Sequence, residues 1–89
     1  MRLYLRKKEK IMNRELPRPG EIWNHFKNNP YLIIDIAEHT ENGKMLVVYR
    51  QLYAPFKVYC RPLEMFMSET DTAKYPYAKQ KYRFERVDE

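Results

Sequence analysis

The sequence is poor in the residues that most enzyme motifs require. Its 89 residues include two glycines, one cysteine and two histidines, and Ser68 is the only serine. Two glycines far apart in the chain cannot build a glycine-rich phosphate-binding loop. His25 and His39 have no cysteine or carboxylate at a metal-ligand spacing, and neither Ser68 nor Cys60 has a base beside it. We therefore expect a protein that is not an enzyme and that has no metal site and no cofactor.

A weaker alternative is a minimal catalytic site around Asp35 and His25. Asp35 is the one carboxylate in an otherwise apolar segment. One carboxylate without a partner is not an acid–base pair, so this alternative ranks below a binding function. Cys60 alternates with Val58, which predicts that its side chain is buried in the core rather than exposed as a nucleophile.

Long apolar runs are also missing. No segment approaches the ~20 apolar residues that a membrane-spanning helix requires. The first ten residues are basic and do not resemble a signal peptide. A single cysteine cannot form an internal disulfide, so we expect a cytoplasmic protein without a membrane partner.

The positive charge is concentrated at the start of the chain. The net charge is +5, and residues 1–11 account for +4 of it through five basic side chains and one acidic side chain. The remaining sequence is nearly neutral. We expect residues 1–15 to be a flexible basic tail, because the segment LPRPG that follows ends it with two prolines and a glycine. Residues 16–89 are then one small β-barrel domain, since the chain is too short for two cores.

Alternating and β-branched segments predict five strands. These are residues 21–26, 31–39, 45–52, 56–61 and 81–87, with a polar loop over residues 68–80. Asn42-Gly43 separates the second and third strands and is a strong hairpin signal, with positive φ expected at both residues.

A short helical turn is predicted between the fourth and fifth strands. Pro62 suits its first position, and Leu63, Phe66 and Met67 share one apolar face. Glu64 points away from that face. This order of elements predicts a mainly β fold, a small SH3-like five-stranded barrel with a short helical turn before the last strand. An OB-type barrel is the alternative.

Four segments carry a resemblance to a known family. RPGEIWNHFKNN, VVYRQLY, RPLEMF and YRFERV together resemble the short bacterial proteins of the domain of unknown function sixteen-fifty-three family, over residues 18–87. The resemblance implies a compact, mostly β domain in bacteria or their phages and no established reaction. It maps the recurrent tyrosines and arginines of the family onto Tyr49, Arg50, Tyr53 and Arg61. The basic tail and the 68–80 loop depart from the family pattern.

Aromatic and arginine side chains in or beside the strands are the candidate ligand-binding residues. Rings stack on bases, and a guanidinium fork binds phosphate oxygens. The candidates are Trp23, His25, Tyr49, Arg50, Tyr53, Tyr59, Arg61 and Glu64. They predict a module that binds a phosphate-bearing ligand, a nucleotide or a nucleic acid. The alternative is a protein-interaction module or a phage-encoded inhibitor of a host protein that uses the same surface.

A structural interpretation competes with this binding hypothesis. Most aromatics of a small barrel lie in its core, and Arg50 and Arg61 would then pair with Glu38 or Glu64. Two arginines in one short barrel still require acceptors, which keeps the ligand interpretation open.

The segment VVYRQLY is apolar on both faces of its strand. Val47 and Tyr49 point to one side, and Val48 and Leu52 point to the other. Core packing uses only one face. The 68–80 loop, a second copy of the protein or a ligand must cover the other, and we favour a homo-oligomer.

This two-sided apolarity predicts self-association. We expect a dimer or larger species at micromolar concentration, because a chain of this size cannot bury both faces in one core. Multi-angle light scattering measures the mass directly. A monomeric mass that persists at high concentration would contradict the prediction.

Overall fold

Seven short strands and one helix make up the described part of the fold. The computed structural model describes residues 10–11 and 13–87. In chain order the elements are β1 (Lys10–Ile11), β2 (Arg14–Glu15), β3 (Ile22–His25), β4 (Asn29–Glu38), β5 (Met45–Gln51), β6 (Val58–Pro62), α1 (Leu63–Met67) and β7 (Phe84–Arg86). No helix of this described part is long and apolar enough to cross a membrane.

The main sheet has five antiparallel strands in the order β6-β5-β4-β3-β7. β3 to β6 form successive hairpins, and β7 returns to pair with β3, with His25 opposite Phe84. A sheet whose last strand returns beside its first curls into a small barrel-like fold. The predicted mainly β fold, with five strands and a short helix before the last, is confirmed.

The hairpin between β4 and β5 exists, but its turn is not the predicted one. Gly43 has a φ of 72°, whereas Asn42 is not among the residues with positive φ in the described chain. Asn42 instead accepts a hydrogen bond from the Lys44 N–H through Oδ1 at 2.9 Å. The His39 N–H closes a longer loop by donating to the Lys44 carbonyl. Side-chain capping by asparagine thus replaces the second left-handed residue.

The two faces of the sheet differ in environment. Ile33 pairs with Tyr49 and Ile36 with Val47 on the core face, and a bulge accommodates Ile34 between them. The bulge keeps both isoleucines inward although three positions separate them. The inward apolar residues are Trp23, Tyr31, Ile33, Ile36, Val47, Tyr49 and Phe84.

The helix α1 covers one opening of the barrel, as predicted. Leu63, Phe66 and Met67 are buried, and Glu64 is exposed. The Phe66 ring stacks on Phe84, with centroids 4.0 Å apart and planes 8° apart. This stack connects α1 to β7 across the core.

The predicted fifth strand is shorter than expected. Only residues Phe84–Arg86 pair with β3. The Thr70 N–H donates to the Lys81 carbonyl, and the Arg83 N–H donates to the Ser68 carbonyl. Residues 81–83 therefore pair with the chain that follows α1 instead of extending β7.

Arg14 lies within the predicted flexible tail but contacts the core. β1 and β2 form a small hairpin, and the Arg14 guanidinium donates 2.7 Å hydrogen bonds to the carbonyls of Met67 and Phe84. It also lies 3.8 Å above the Tyr82 ring. The described chain is therefore attached to the barrel before residue 16. The rest of the predicted tail, residues 1–9 and 12, lies outside the described residues.

The outer face of β4, β5 and β6 carries exposed apolar side chains. Ile34 is 38% exposed, Leu52 38% and Val58 47%. Cys60 is exposed too, so its predicted burial is wrong. It does alternate with Val58, but both point outward from an edge strand whose outer face has no cover in the described chain. The 68–80 loop instead packs on β3, where Gln80 Nε2 donates to the Asn24 carbonyl at 2.8 Å.

The contacts of Arg14 predict a large effect on stability. We expect Arg14→Ala to lower the free energy of unfolding by about 2 to 3 kcal/mol, because two carbonyls lose a charged donor. Urea denaturation followed by tryptophan fluorescence measures this. Arg18→Ala is the matched control, since Arg18 is exposed, and should change stability by less than about 0.5 kcal/mol. Equal effects of the two substitutions would contradict the anchoring role.

Candidate functional site

The sheet separates the predicted site residues into two groups. Tyr49 pairs with Tyr59, and Arg50 pairs with Val58, at neighbouring positions of β5 and β6. Tyr49 is 3% exposed on the core face, whereas Arg50 is exposed on the outer face. Arg61 follows Tyr59 by two positions and lies on the core face with it. Arg50 and Arg61 therefore lie on opposite faces of the sheet, and they cannot bind the same phosphate.

Arg61 is held at the edge of the core by aromatic side chains. Its Nε donates a 3.1 Å hydrogen bond to the Tyr49 hydroxyl, and its guanidinium carbon lies 5.6 Å from the Phe84 ring centroid. The Tyr59 ring adjoins Tyr49 at 6.0 Å and is 39% exposed. We call Arg61, Tyr49, Tyr59 and Phe84 the Arg61 site.

The outer nitrogens of Arg61 have no protein acceptor in the described chain. Within residues 10–11 and 13–87, no carboxylate lies within 4.0 Å of this guanidinium, and only Nε makes a hydrogen bond. Arg61 is nonetheless only half-exposed. The predicted pairing with Glu64 or Glu38 is thus not made. A partly buried guanidinium with two unpaired nitrogen donors and a fixed plane is suited to a bidentate anion.

Tyr53 joins this cluster through Tyr31, which the sequence interpretation missed. The two hydroxyls lie 2.6 Å apart, and the Tyr31 ring meets Tyr49 at 5.1 Å. Burial and then the hydrogen bond with Tyr53 raise the pKa of the Tyr31 hydroxyl above its usual value. Tyr31 is therefore a neutral, buried support for Tyr49 and Tyr53. Its position in a β-branched strand could not distinguish it from ordinary core.

His25 lies on the same side of the sheet, against Phe84. Their rings meet edge to face with centroids 4.9 Å apart. Burial is the largest cause that lowers the pKa of His25 to about 4, and the charges of Arg61, Arg83 and Lys27 lower it further. The imidazole is neutral near pH 7. The cationic side chains of Arg61, Arg83 and Lys27 therefore lie near this imidazole.

Trp23 and Glu64 lie away from the Arg61 site. Trp23 is 3% exposed, and its Nε1 donates to Glu21 Oε1 at 3.0 Å, so its ring belongs to the core. Glu64 borders an apolar cleft of about 480 Å³ beside Met45 and Leu63. Of the eight candidates, the structure brings together Tyr49, Tyr53, Tyr59, Arg61 and His25.

The structure separates Asp35 from His25, the two residues of the weaker catalytic alternative. Asp35 pairs with Val48 on the outer face, and its Oδ1 accepts the Ile36 N–H at 2.7 Å. His25 lies on the core side of the same sheet. In residues 10–11 and 13–87 there is no group of three or more His, Cys, Asp or Glu side chains that could hold a metal ion.

Comparison with known proteins identifies relatives of this chain. A family model described as a protein of unknown function, DUF1653, matches residues 21–86. The chain is also similar to the crystal structure of a DUF1653 protein from Bordetella bronchiseptica, at 32% identity and a TM-score of 0.65, covering 80% of this chain and 87% of that one. No curated protein matches the sequence. The matched residues include the whole Arg61 site.

The lowered pKa of His25 predicts a pH-dependent stability. The unfolded chain binds a proton at this residue below about pH 6.5, whereas the folded chain binds it only near pH 4. Between these pH values the unfolded state binds more protons than the folded state. The stability that depends on a neutral His25 is therefore fully present above pH 6.5 and is lost as the pH falls toward 4. From this group we expect a loss of about 1 to 2 kcal/mol between pH 7 and pH 5.

Comparison with His25→Gln isolates this contribution from that of the carboxylates. Urea unfolding at both pH values should show a smaller pH dependence for the variant. An NMR titration of the His25 ring gives the pKa itself, which Arg61→Ala should raise by removing a repelling charge. A ring that titrates near its ordinary value in the wild type would contradict the interpretation.

Proposed function

The chain belongs to the DUF1653 family, and within that family we propose that it is a non-enzymatic binding module for a phosphate-bearing ligand, a nucleotide or a nucleic acid. The observation that carries this proposal is the state of Arg61. Its Nε is bound to the Tyr49 hydroxyl, while its outer nitrogens have no acceptor in the described chain. A guanidinium in this state binds an anion without first breaking an ion pair.

The surroundings of Arg61 favour phosphate over a single carboxylate. Arg61, Arg83 and Lys27 are the three cationic side chains whose charges help to lower the pKa of the neutral His25 imidazole. A phosphate carries more negative charge and more acceptor oxygens than a carboxylate, so it gains more from several cations. The planar guanidinium matches two of its oxygens.

Tyr59 provides the aromatic surface next to this anion site. It lies on the same face of β6 as Arg61, two positions earlier, and 39% of it is exposed. A base attached to a phosphate at Arg61 can stack on this ring. Tyr53, half-buried and bonded to Tyr31, extends the same surface.

The environments of the possible nucleophiles support a non-enzymatic role. Ser68 Oγ donates to the Met65 carbonyl at 2.6 Å and accepts from Arg83 Nε at 3.3 Å. These contacts orient a hydroxyl for structure, since activation requires a base as its acceptor. Cys60 lies on the outer face, on the opposite side of β6 from Arg61. The single cysteine makes the cytoplasm the proposed location.

A second candidate function is supported by the outer face. Ile34, Leu52 and Val58 form an exposed apolar surface over β4 to β6, with Arg50 among them. Exposed apolar surfaces of monomers commonly mark protein contacts. This surface suits a protein-interaction module or a homo-oligomer, and it leaves the Arg61 site on the other face free.

The proposed function predicts opposite outcomes for the two arginines. Arg61→Ala should weaken nucleotide binding by about 1.5 to 3 kcal/mol, the range for charge-assisted hydrogen bonds. Arg61→Lys should restore only part of this loss, because an ammonium cannot reproduce the planar fork. Arg50→Ala is the matched control and should have little effect. The measurement is calorimetric titration with mono-, di- and cyclic nucleotides.

Two other results would change the proposed function or the position of the proposed site. Absence of heat with every nucleotide and with short single strands would reject the phosphate-binding function and favour the protein-interaction module. A larger effect of Arg50→Ala than of Arg61→Ala would move the site to the outer face. Circular dichroism of each variant establishes that the fold is intact.

A further inference from the structure

One basic and aromatic segment lies outside the four residues that define the Arg61 site. Residues 74–83, KYPYAKQKYR, contain four cationic and three tyrosine side chains and no acidic side chain. Lysines interleaved with exposed aromatic rings are typical of surfaces that bind nucleic acid strands. The rest of the described domain is close to neutral, so this concentration of charge is local.

The segment is held beside β3 in a defined position. Gln80 Nε2 donates to the carbonyls of Asn24 and Tyr82 at 2.8 and 3.1 Å, and Asn24 Nδ2 donates back to Gln80 Oε1 at 3.2 Å. The Tyr75 ring packs on Phe26 with centroids 4.9 Å apart. These contacts order the loop before any ligand binds, which lowers the entropic cost of binding.

An open cleft of about 550 Å³ lies between this segment and the turn after β3. Phe26, Lys27, Tyr77, Lys79 and Gln80 are among its lining residues. Lys27 Nζ lies 5.1 Å from the Tyr75 ring centroid, and Tyr77 is 66% exposed. The cleft therefore combines two ammonium groups with an accessible aromatic face.

Glu85 is the only acidic residue among those that line this cleft. Its Oε2 accepts the Tyr82 N–H at 3.1 Å, so part of its charge is used within the protein. Lys27 and Lys79 therefore outnumber the acidic groups at the cleft.

A continuous row of ring contacts joins this cleft to the Arg61 site. The neighbouring centroids are 4.3 to 6.0 Å apart for successive pairs along Tyr59, Tyr49, Phe84, His25, Phe26, Tyr75 and Tyr77. Only the two ends are well exposed, Tyr59 at 39% and Tyr77 at 66%. Arg61 lies beside one half of the row and Lys27 beside the other. The two exposed rings, Tyr59 and Tyr77, can each stack on a base, and the cations Arg61 and Lys27 between them can bind phosphates. This order matches the alternation of bases and phosphates along a nucleic acid strand.

We infer that the ligand is a short single strand of nucleic acid that extends from the Arg61 site to the cleft, with bases on Tyr59 and Tyr77 and phosphates along Arg61 and Lys27. This inference rests on the proposed function. A duplex keeps its base faces stacked internally and cannot use the two exposed rings. A mononucleotide reaches only one end of the row.

Length dependence is the primary test. Oligothymidylates of about 2 to 16 nucleotides, a range that includes known site sizes on small β-barrels, are titrated against the full chain by fluorescence anisotropy. We expect affinity to rise with length and then level off once the strand reaches both ends. Thymidine monophosphate, measured calorimetrically in parallel, reports on the Arg61 site alone.

Two pairs of variants test the cleft. Tyr77→Ala should weaken oligonucleotide binding about 5- to 150-fold, the equivalent of one lost base stack, whereas Tyr77→Phe should keep it. Lys27→Ala with Lys79→Ala should reduce the salt slope of log K by about 1.4, the value for two single-strand phosphate contacts. Lys7→Ala with Lys8→Ala removes equal charge elsewhere in the chain and should leave the slope nearly unchanged.

The outcomes separate this inference from the proposed function. Monophosphate binding without a gain from length, or an oligonucleotide affinity that Tyr77→Ala leaves unchanged, overturns the inference and keeps the function. An equal affinity for duplex DNA, or an equal loss in the Lys7 and Lys8 variant, also overturns it. Binding of strands that is insensitive to Arg61→Ala overturns the proposed function together with the continuous path. Absence of binding to any of these ligands rejects both.

Discussion

The stacking of Phe84 on Phe66 is the contact on which the rest of the structure depends. Phe84 comes from the last strand and Phe66 from the helix that precedes it, and their rings lie 4.0 Å apart. The last strand, β7, returns to pair with β3 at one edge of the five-stranded sheet, and this stack joins that strand to α1 while it fills the core. Arg14, which lies near the start of the described chain, also holds β7 by donating a hydrogen bond to the Phe84 carbonyl.

The candidate site lies next to the stack of Phe84 on Phe66. The rings of Phe84 and His25 meet edge to face, and Phe84 also lies near the Arg61 guanidinium, so one core residue contacts both of these candidate side chains. Arg61 stays oriented because its Nε is bound to a buried tyrosine hydroxyl. Under the proposed function, the aromatic residues fix the orientation of a few cationic side chains. Such fixed cations can bind an anion even though the domain has little net charge.

The uncovered outer face and the Arg61 site lie on opposite sides of one sheet. Strand alternation produces this separation: Tyr49 and Arg50 are neighbours in sequence yet face the core and solvent respectively. The proposed association through the outer face and the proposed ligand binding at the Arg61 site therefore use different side chains. Substitutions on one face test one proposal without altering the surface on which the other rests.

The sequence by itself determined the β-rich architecture, the helical turn at Leu63–Met67, the family and the residue types of the site, because period-two patterns, Pro62 and the segments quoted are local signals. Only the tertiary structure decided that Arg61 and not Arg50 adjoins the tyrosines, that Cys60 is exposed and that Arg14 belongs to the barrel. These outcomes depend on which face of each strand the core covers and on contacts between distant segments. Alternation fixes only that neighbouring side chains differ in direction, whereas closure of the sheet selects which direction is inward.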